Sequence, residues 1–290
     1  MTRSNSRSAG SPAGPPASAP ARRFWLRPEA REAILDLTLP GAAVAGSLAA
    51  WSLAVRLFNI PSYLLPAPED VARLLYENRV MFLQNGWVTV QEVLVGFFAS
   101  VLIATPLAIT VVLNRTLERA LMPLLVMSQT IPKVAIAPLF VVWLGFGFLP
   151  KVAVAFLISF FPILIAAIAG LKSVETDMLD LVRSMGATTG QIVWKVRIPT
   201  ALPQFFSGLK ISICLSVVGA IVGEFVGSDK GLGYLLLTSA GDLNGRLTYA
   251  TIVILVIIGM VLFGAVCQVE KWVIPWHVSV RVKEESLWQS

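Results

Sequence analysis

Long runs without a single charged residue constrain this chain more than any other feature. Leu37–Val55, Val93–Asn114, Val152–Leu171 and Leu247–Val269 hold 19, 22, 20 and 23 residues free of Asp, Glu, Lys and Arg. Roughly 20 helical residues cross a hydrocarbon core about 30 Å thick, so each run is long enough to span one. Two further runs are interrupted once each, Ala120–Pro150 by Lys133 and Ile211–Ser228 by Glu224. The two-residue alternation of a barrel strand is absent. A segment in lipid must also satisfy its own backbone, so the expected fold is all-α, a polytopic bundle of six transmembrane helices. The expected spans cover about 37–56, 88–113, 120–146, 151–171, 208–227 and 247–269. Charged residues make up 14% of the chain, against about 25% in soluble domains.

In such a chain a net charge of +6 reads as a topology signal, and it argues against nucleic acid as a partner. With the N-terminus in the cytoplasm and six spans following, 16 of the 23 Lys and Arg fall inside, and 7 fall outside or within spans. That asymmetry follows the positive-inside rule and puts both termini in the cytoplasm. Residues 1–30, rich in Ser, Ala, Pro, Gly and Arg, are expected to be a disordered tail. No apolar stretch follows their arginines, so they do not read as a secretory signal. Residues 31–276 form the membrane domain and 277–290 a cytoplasmic tail. Cys214 and Cys267 fall inside expected spans and read as buried small hydrophobes. His277 reads as a solvated residue past the last span. No metal-ligand spacing, catalytic constellation or cofactor motif is present.

One polar segment, about 173–203, lies between the fourth and fifth spans and is too charged for lipid. In "SVETDMLDLVRSMG", Ser173 can cap a helix whose first turn carries Glu175 and Asp177. Val174, Met178, Leu181, Val182 and Met185 form one apolar stripe. Gly186 suits the left-handed position that ends such a helix. Thr188 and Gln191 make a capping box for a second short helix presenting Ile192, Val193 and Val196, which Pro199 is expected to stop. The segment is therefore a helical hairpin with an apolar face, suited either to the membrane surface or to a docking partner.

The spacing of this hairpin resembles the EAA loop of importer permeases of the ATP-binding cassette class. Asp180 is followed by Gly186, then by nine residues, Ala187–Lys195, then by Val196-Arg197-Ile198-Pro199. Asp180 stands where that pattern has Glu, and Leu181 and Val182 stand where it has alanines. "SQTIPKVAIAPLFVVWLGFG" and "GEFVGSDKGLGYLL" are similar to matching stretches in permeases of the nitrate, sulfonate and taurine group. The resemblance implies a hairpin that docks on a separate ATPase, through Asp180, Met185, Gly186, Ala187, Val196 and Pro199. It implies two ATPase subunits, a second copy of this chain and an extracytoplasmic solute-binding protein, in a bacterial inner membrane. It implies a small anionic solute such as nitrate, a sulfonate or taurine, though relatives carry other small molecules, including pyrimidine precursors. The chain itself has no phosphate-binding G-x-x-x-x-G-K-[ST] and is not expected to be an enzyme.

Two charges inside spans need partners or water. Lys133 follows Pro132, and it either satisfies backbone carbonyls freed by that proline or lines the translocation path as a positive charge. Glu224 is expected to pair within the bundle, with Lys230 or Arg246. Glu92 and Lys210, at span ends, are expected to reach the interface. A secondary transporter or channel would show intramembrane ion ligands in paired broken helices, and the hairpin would then have no role.

Overall fold

A computed structural model of the chain describes residues 28–276. Of the disordered tail expected over residues 1–30, 1–27 lie outside the described residues, as do His277 and the C-terminal tail, while 28–30 are the start of a helix. Among the described residues there are eleven α-helices and no strand, in keeping with the expected all-α fold. The chain divides into two compact units, 1–46 and 47–290, with α1 (Pro28–Leu57) beginning in the first. Everything below concerns the second unit.

Its centre is three helices, α3 (Arg79–Leu113), α6 (Phe148–Lys172) and α9 (Ile198–Gly227), with α6 packed against both neighbours. In lipid there is no hydrophobic drive between helices, so close packing rests on small residues that let backbones approach. α6 and α9 use that device. A Cβ at Gly219 would lie 2.6 Å from the Ala155 Cα, and one at Gly223 2.8 Å from the Lys151 Cα. Ser100 of α3, Ser159 of α6 and Ser212 and Ser216 of α9 are fully buried among the three helices. Ser216 Oγ donates to the Val93 carbonyl at 3.0 Å, and the Ser100 and Ser159 hydroxyls meet at 2.8 Å. α11 (Gly245–Val273) packs on the outside of α9, and Asn244 caps it by accepting from the Leu247 amide.

The expected third span is broken. α4 (Arg115–Thr130) ends at Ile131-Pro132, and a tight 3₁₀ turn, Lys133–Ile136, leads into α5 (Ala137–Leu144) at 86° to α4. Pro132 offers no amide to the helix and pushes the preceding Ile131 to an extended ψ of 126°. Among the described residues four helices, counting α9 with the turns before it, are long and apolar enough to cross a membrane alone, and the bent pair makes a fifth if taken as one span. The described apolar part of α1, Gly41–Leu57, is shorter than these.

At one end of the bundle α6 and α9 are joined by the hairpin. At the other, the far end, sit two short helices, α2 (Pro68–Glu77) and α10 (Leu232–Gly241). Pro68 opens α2 with Glu69 and Asp70 in its first turn, where the helix dipole favours acids. Arg56 pairs with Glu69, and Arg246 of α11 reaches Asp70 at 3.5 Å.

Candidate functional site

The hairpin consists of α7 (Thr176–Ser184) and α8 (Thr189–Ile192). Ser173 does not start it. Its hydroxyl donates to the Gly170 carbonyl at 2.8 Å and finishes α6, while Glu175 occupies the cap position of α7. Gly186 has φ +82°, the left-handed conformation expected of it. The Gly186 amide donates to the Arg183 carbonyl at 2.9 Å and the Ala187 amide to the Val182 carbonyl at 3.2 Å, which ties off α7. The capping box is present: the Thr188 hydroxyl accepts from the Gln191 amide, and the Gln191 side chain accepts from the Thr188 amide at 2.9 Å.

The apolar face differs in part from the stripe read in the sequence. Leu179, Ile192 and Val193 are buried against the bundle, so Ile192 is unavailable to a partner. Met178, Leu181, Met185 and Trp194 are the large apolar side chains left exposed. Trp194 was missed because the spacing argument followed one helix at a time, and this residue lies in the π turn after α8. Asp180, also exposed, holds Arg183 at 3.1 Å on its own helix. Val196 and Pro199 are half-buried at the hairpin's root.

Pro199 does not stop the second helix. α8 runs through a π turn, Val193–Arg197, directly into α9, giving 39 continuous helical residues, Thr189–Gly227. A proline in an α-helix clashes with the carbonyl four residues back, and the wider π turn just before Pro199 removes that conflict.

Above the hairpin, a groove of about 440 Å³ opens between the break after α4, α6 and α9. Gln129, Lys133, Gln204 and Ser207 bring polar groups, and Phe161 a ring, to its otherwise apolar wall. The Lys133 ammonium sits 4.6 Å from the centre of the Phe161 ring, a cation–π contact. None of the ion pairs among the described residues includes Lys133.

Glu92 and Lys210, which the sequence placed at span ends, are both drawn inside. Glu92 is fully buried, with the buried Lys151 ammonium 2.5 Å from its Oε1, so it does not reach the interface. Lys210 pairs with Glu270 of α11 at 2.5 Å, both largely shielded. Glu224 pairs with neither Lys230 nor Arg246. Its Oε1 accepts from the Thr89 hydroxyl at 2.6 Å, and its Oε2 from the Gly233 amide and, at 3.3 Å, the Tyr234 amide. A charge at the edge of an apolar run looks like a boundary in one dimension, and only packing shows it facing another helix. Cys214 is exposed rather than buried, and Cys267 half-buried.

Comparisons with known proteins agree on one family. The family described as binding-protein-dependent transport system inner membrane component matches residues 96–274. The formylaminopyrimidine transport permease protein ThiX of Halalkalibacterium halodurans is 37% identical over 228 residues, 78% of this chain and 91% of that one. The taurine transport system permease protein TauC of Escherichia coli is 26% identical, over 90% of this chain and 96% of that one. Among solved structures, an inward-facing form of the MetNI methionine ABC transporter superposes with a TM-score of 0.60 at 22% identity, covering 67% of this chain and 97% of that chain.

Proposed function

The chain belongs to the family of binding-protein-dependent transport system inner membrane components, permease subunits of ATP-binding cassette importers, and on that premise we propose how it works. The hairpin is the coupling element. It takes up the stroke of a separate ATPase subunit, which hydrolyses the ATP, and passes it along α9. One observation carries this reading: four large apolar side chains, Met178, Leu181, Met185 and Trp194, stand exposed on a polar hairpin rigidly continuous with a core helix. An exposed apolar patch of that kind fits a protein partner. Asp180, Met185, Gly186, Ala187, Val196 and Pro199 belong to this contact or to its root. Two ATPase subunits, a second copy of this chain across a two-fold axis and an extracytoplasmic binding protein complete the importer. The exposed Ile211, Cys214 and Val218 on one face of α9 support the second copy. Native mass spectrometry of the purified complex reads the copy number, and a single permease per two ATPases would exclude it. Both termini lie in the cytoplasm of a bacterial inner membrane.

The test is uptake and stimulated ATP hydrolysis in reconstituted vesicles. Gly186→Val places a β-branched residue at φ +82°, a conformation costing about 1–2 kcal/mol for any L side chain. With Asp180→Lys as a second variant, the protein should insert normally while ATP-dependent uptake is lost. Full uptake and full stimulated hydrolysis in both variants would make the hairpin a passive surface helix.

The solute passes through the groove beside Lys133. The sulfonate group of taurine or another sulfonate, or a nitrate ion, suits an ammonium without an acidic partner among the described residues. A second reading, a planar pyrimidine-like solute, is favoured by the Phe161 ring and the two glutamine side chains in the same wall, and by the likeness to ThiX. Competition for uptake by taurine and by a formylaminopyrimidine separates the two.

A further inference from the structure

Near the far end of the bundle a wedge of about 520 Å³ opens between α1, α2 and α11. Leu48 and Trp51 of α1, Val71 and Leu75 of α2 and Val253 of α11 line it. Trp51 and Val55 are packed down, the Trp51 ring 6.0 Å from that of Tyr249, whereas Ser47–Ala50 are exposed. Acyl chains are as apolar as these side chains, so in a bilayer no hydrophobic drive squeezes such a wedge shut. Lipid fills it, and the polar groups at its rim decide which lipid.

Polarity changes along this wall in a fixed order. At the mouth Arg56 pairs with Glu69, a wall residue that also accepts from the Ser52 hydroxyl at 3.0 Å. Trp51 lies five residues deeper, about 7.5 Å along the helix. Its indole Nε1 is buried and has no acceptor among the described residues. Three residues further in, at Leu48, the α1 side of the wall is purely apolar. A phospholipid has the same order: charged headgroup, ester carbonyl acceptors, hydrocarbon. The headgroup layer of one leaflet is about 5–8 Å deep, which matches the rise from Trp51 to Arg56, and Trp suits that boundary.

The rim charges select the headgroup. Arg56 and Glu69 cancel, and at the next residue Asp70 is matched by Arg246. A net anionic headgroup would meet as many carboxylates as cations, whereas a zwitterion finds a partner for each of its charges. The Arg56 and Glu69 side chains are 70% and 46% exposed, so their unused donors and lone pairs are open to the mouth of the wedge. A primary ammonium can donate to Glu69 in a charge-assisted hydrogen bond, and a quaternary one has no hydrogen to give.

We propose that this wedge is a phospholipid site of the far leaflet, selective for a zwitterionic headgroup with a primary ammonium, which is phosphatidylethanolamine. The phosphate lies on Arg56 and the ammonium on Glu69. An ester carbonyl beside the Trp51 ring supplies the acceptor that the indole N–H lacks, and one acyl chain runs down between Leu48, Leu75 and Val253. The lipid fastens the last turns of α1 to α2 and α11. The site is independent of which solute passes and of what docks on the hairpin.

The experiment is native mass spectrometry of the purified full-length protein released from nanodiscs of equal parts phosphatidylethanolamine, phosphatidylcholine and phosphatidylglycerol. The expected result is retained phosphatidylethanolamine, enriched about fivefold over its bulk share, as one charge-assisted contact gives. Glu69→Gln should erase the preference over phosphatidylcholine. Ala49→Phe and Ala72→Phe, at exposed positions on opposite walls, fill the wedge without touching the rim charges and should each abolish retention. Equal retention of the three lipids by the wild type, a preference for phosphatidylglycerol, no retained lipid at all, an unchanged preference in Glu69→Gln, or unchanged retention in either filled variant would overturn the assignment.

Discussion

Lys133 shows how much one position in a sequence can announce and how little it can settle. A lone cation in an apolar run is conspicuous, and Pro132 before it was expected to free a backbone carbonyl within a continuous span; Lys133 lies instead in the 3₁₀ turn where that span breaks. The aromatic ring beneath it could not be foreseen, because Phe161 is on another helix. A half-buried cation–π contact contributes only about 1 kcal/mol, so Lys133→Met should leave the Tm of the complex and its basal ATP hydrolysis near the wild-type values. If the ammonium meets an anionic solute in the groove, uptake falls about tenfold, as loss of one charge-assisted contact of about 1.4 kcal/mol would give. Unchanged uptake with unchanged Tm would take Lys133 out of the path. Gly186 is the contrasting residue. Its left-handed φ was legible from the helix it ends, since only local geometry was needed.

Among the elements, the helices themselves were legible and their joints were not. The length of the apolar runs that marked α6, α9 and α11 is a local property, and so is the capping box of α8. Joints depend on how a chain resolves a conflict. At Pro132 the helix breaks and turns by 86°, whereas at Pro199 a π turn lets it run on. Nothing in the two sequences separates those outcomes without knowing what packs alongside. The α6–α9 seam is the element-scale feature most open to test. Gly219→Leu drives a side chain into the Ala155 backbone, 2.6 Å from where its Cβ would begin. Overpacking of this kind costs roughly 1–3 kcal/mol. The expected outcome is a lower Tm for the purified complex and less of it in the membrane, with a wild-type Tm showing that the seam yields.

For the molecule as a whole, the distribution of basic residues is the only topological information the sequence carries, and it is a statement about sidedness that no packing arrangement contains. Cysteines placed singly at the exposed positions Ser62 and Asp242 should react with an impermeant thiol reagent added to intact cells. One at Thr189, at the start of the second hairpin helix, should not. The native Cys214 and Cys267 are replaced by Ser beforehand, because Cys214 is exposed on the lone chain. Labelling at Thr189 would reverse the orientation of the whole bundle and put the hairpin out of an ATPase's reach.

The unbroken run from Thr189 to Gly227 has a mechanical consequence. At about 1.5 Å per residue, its 39 residues make a rod about 58 Å long. A tilt of about 5° about one end displaces the other by about 5 Å, close to one helical pitch. The glutamate that holds α10 is mounted three residues from the rod's far tip. If an ATPase docks on the hairpin as proposed, a push of a few ångströms there needs no relay of rearranging side chains to reach the far tip. It would arrive as leverage, and the π turn near the rod's base and Pro203 inside α9 are where some of it would be lost as bending.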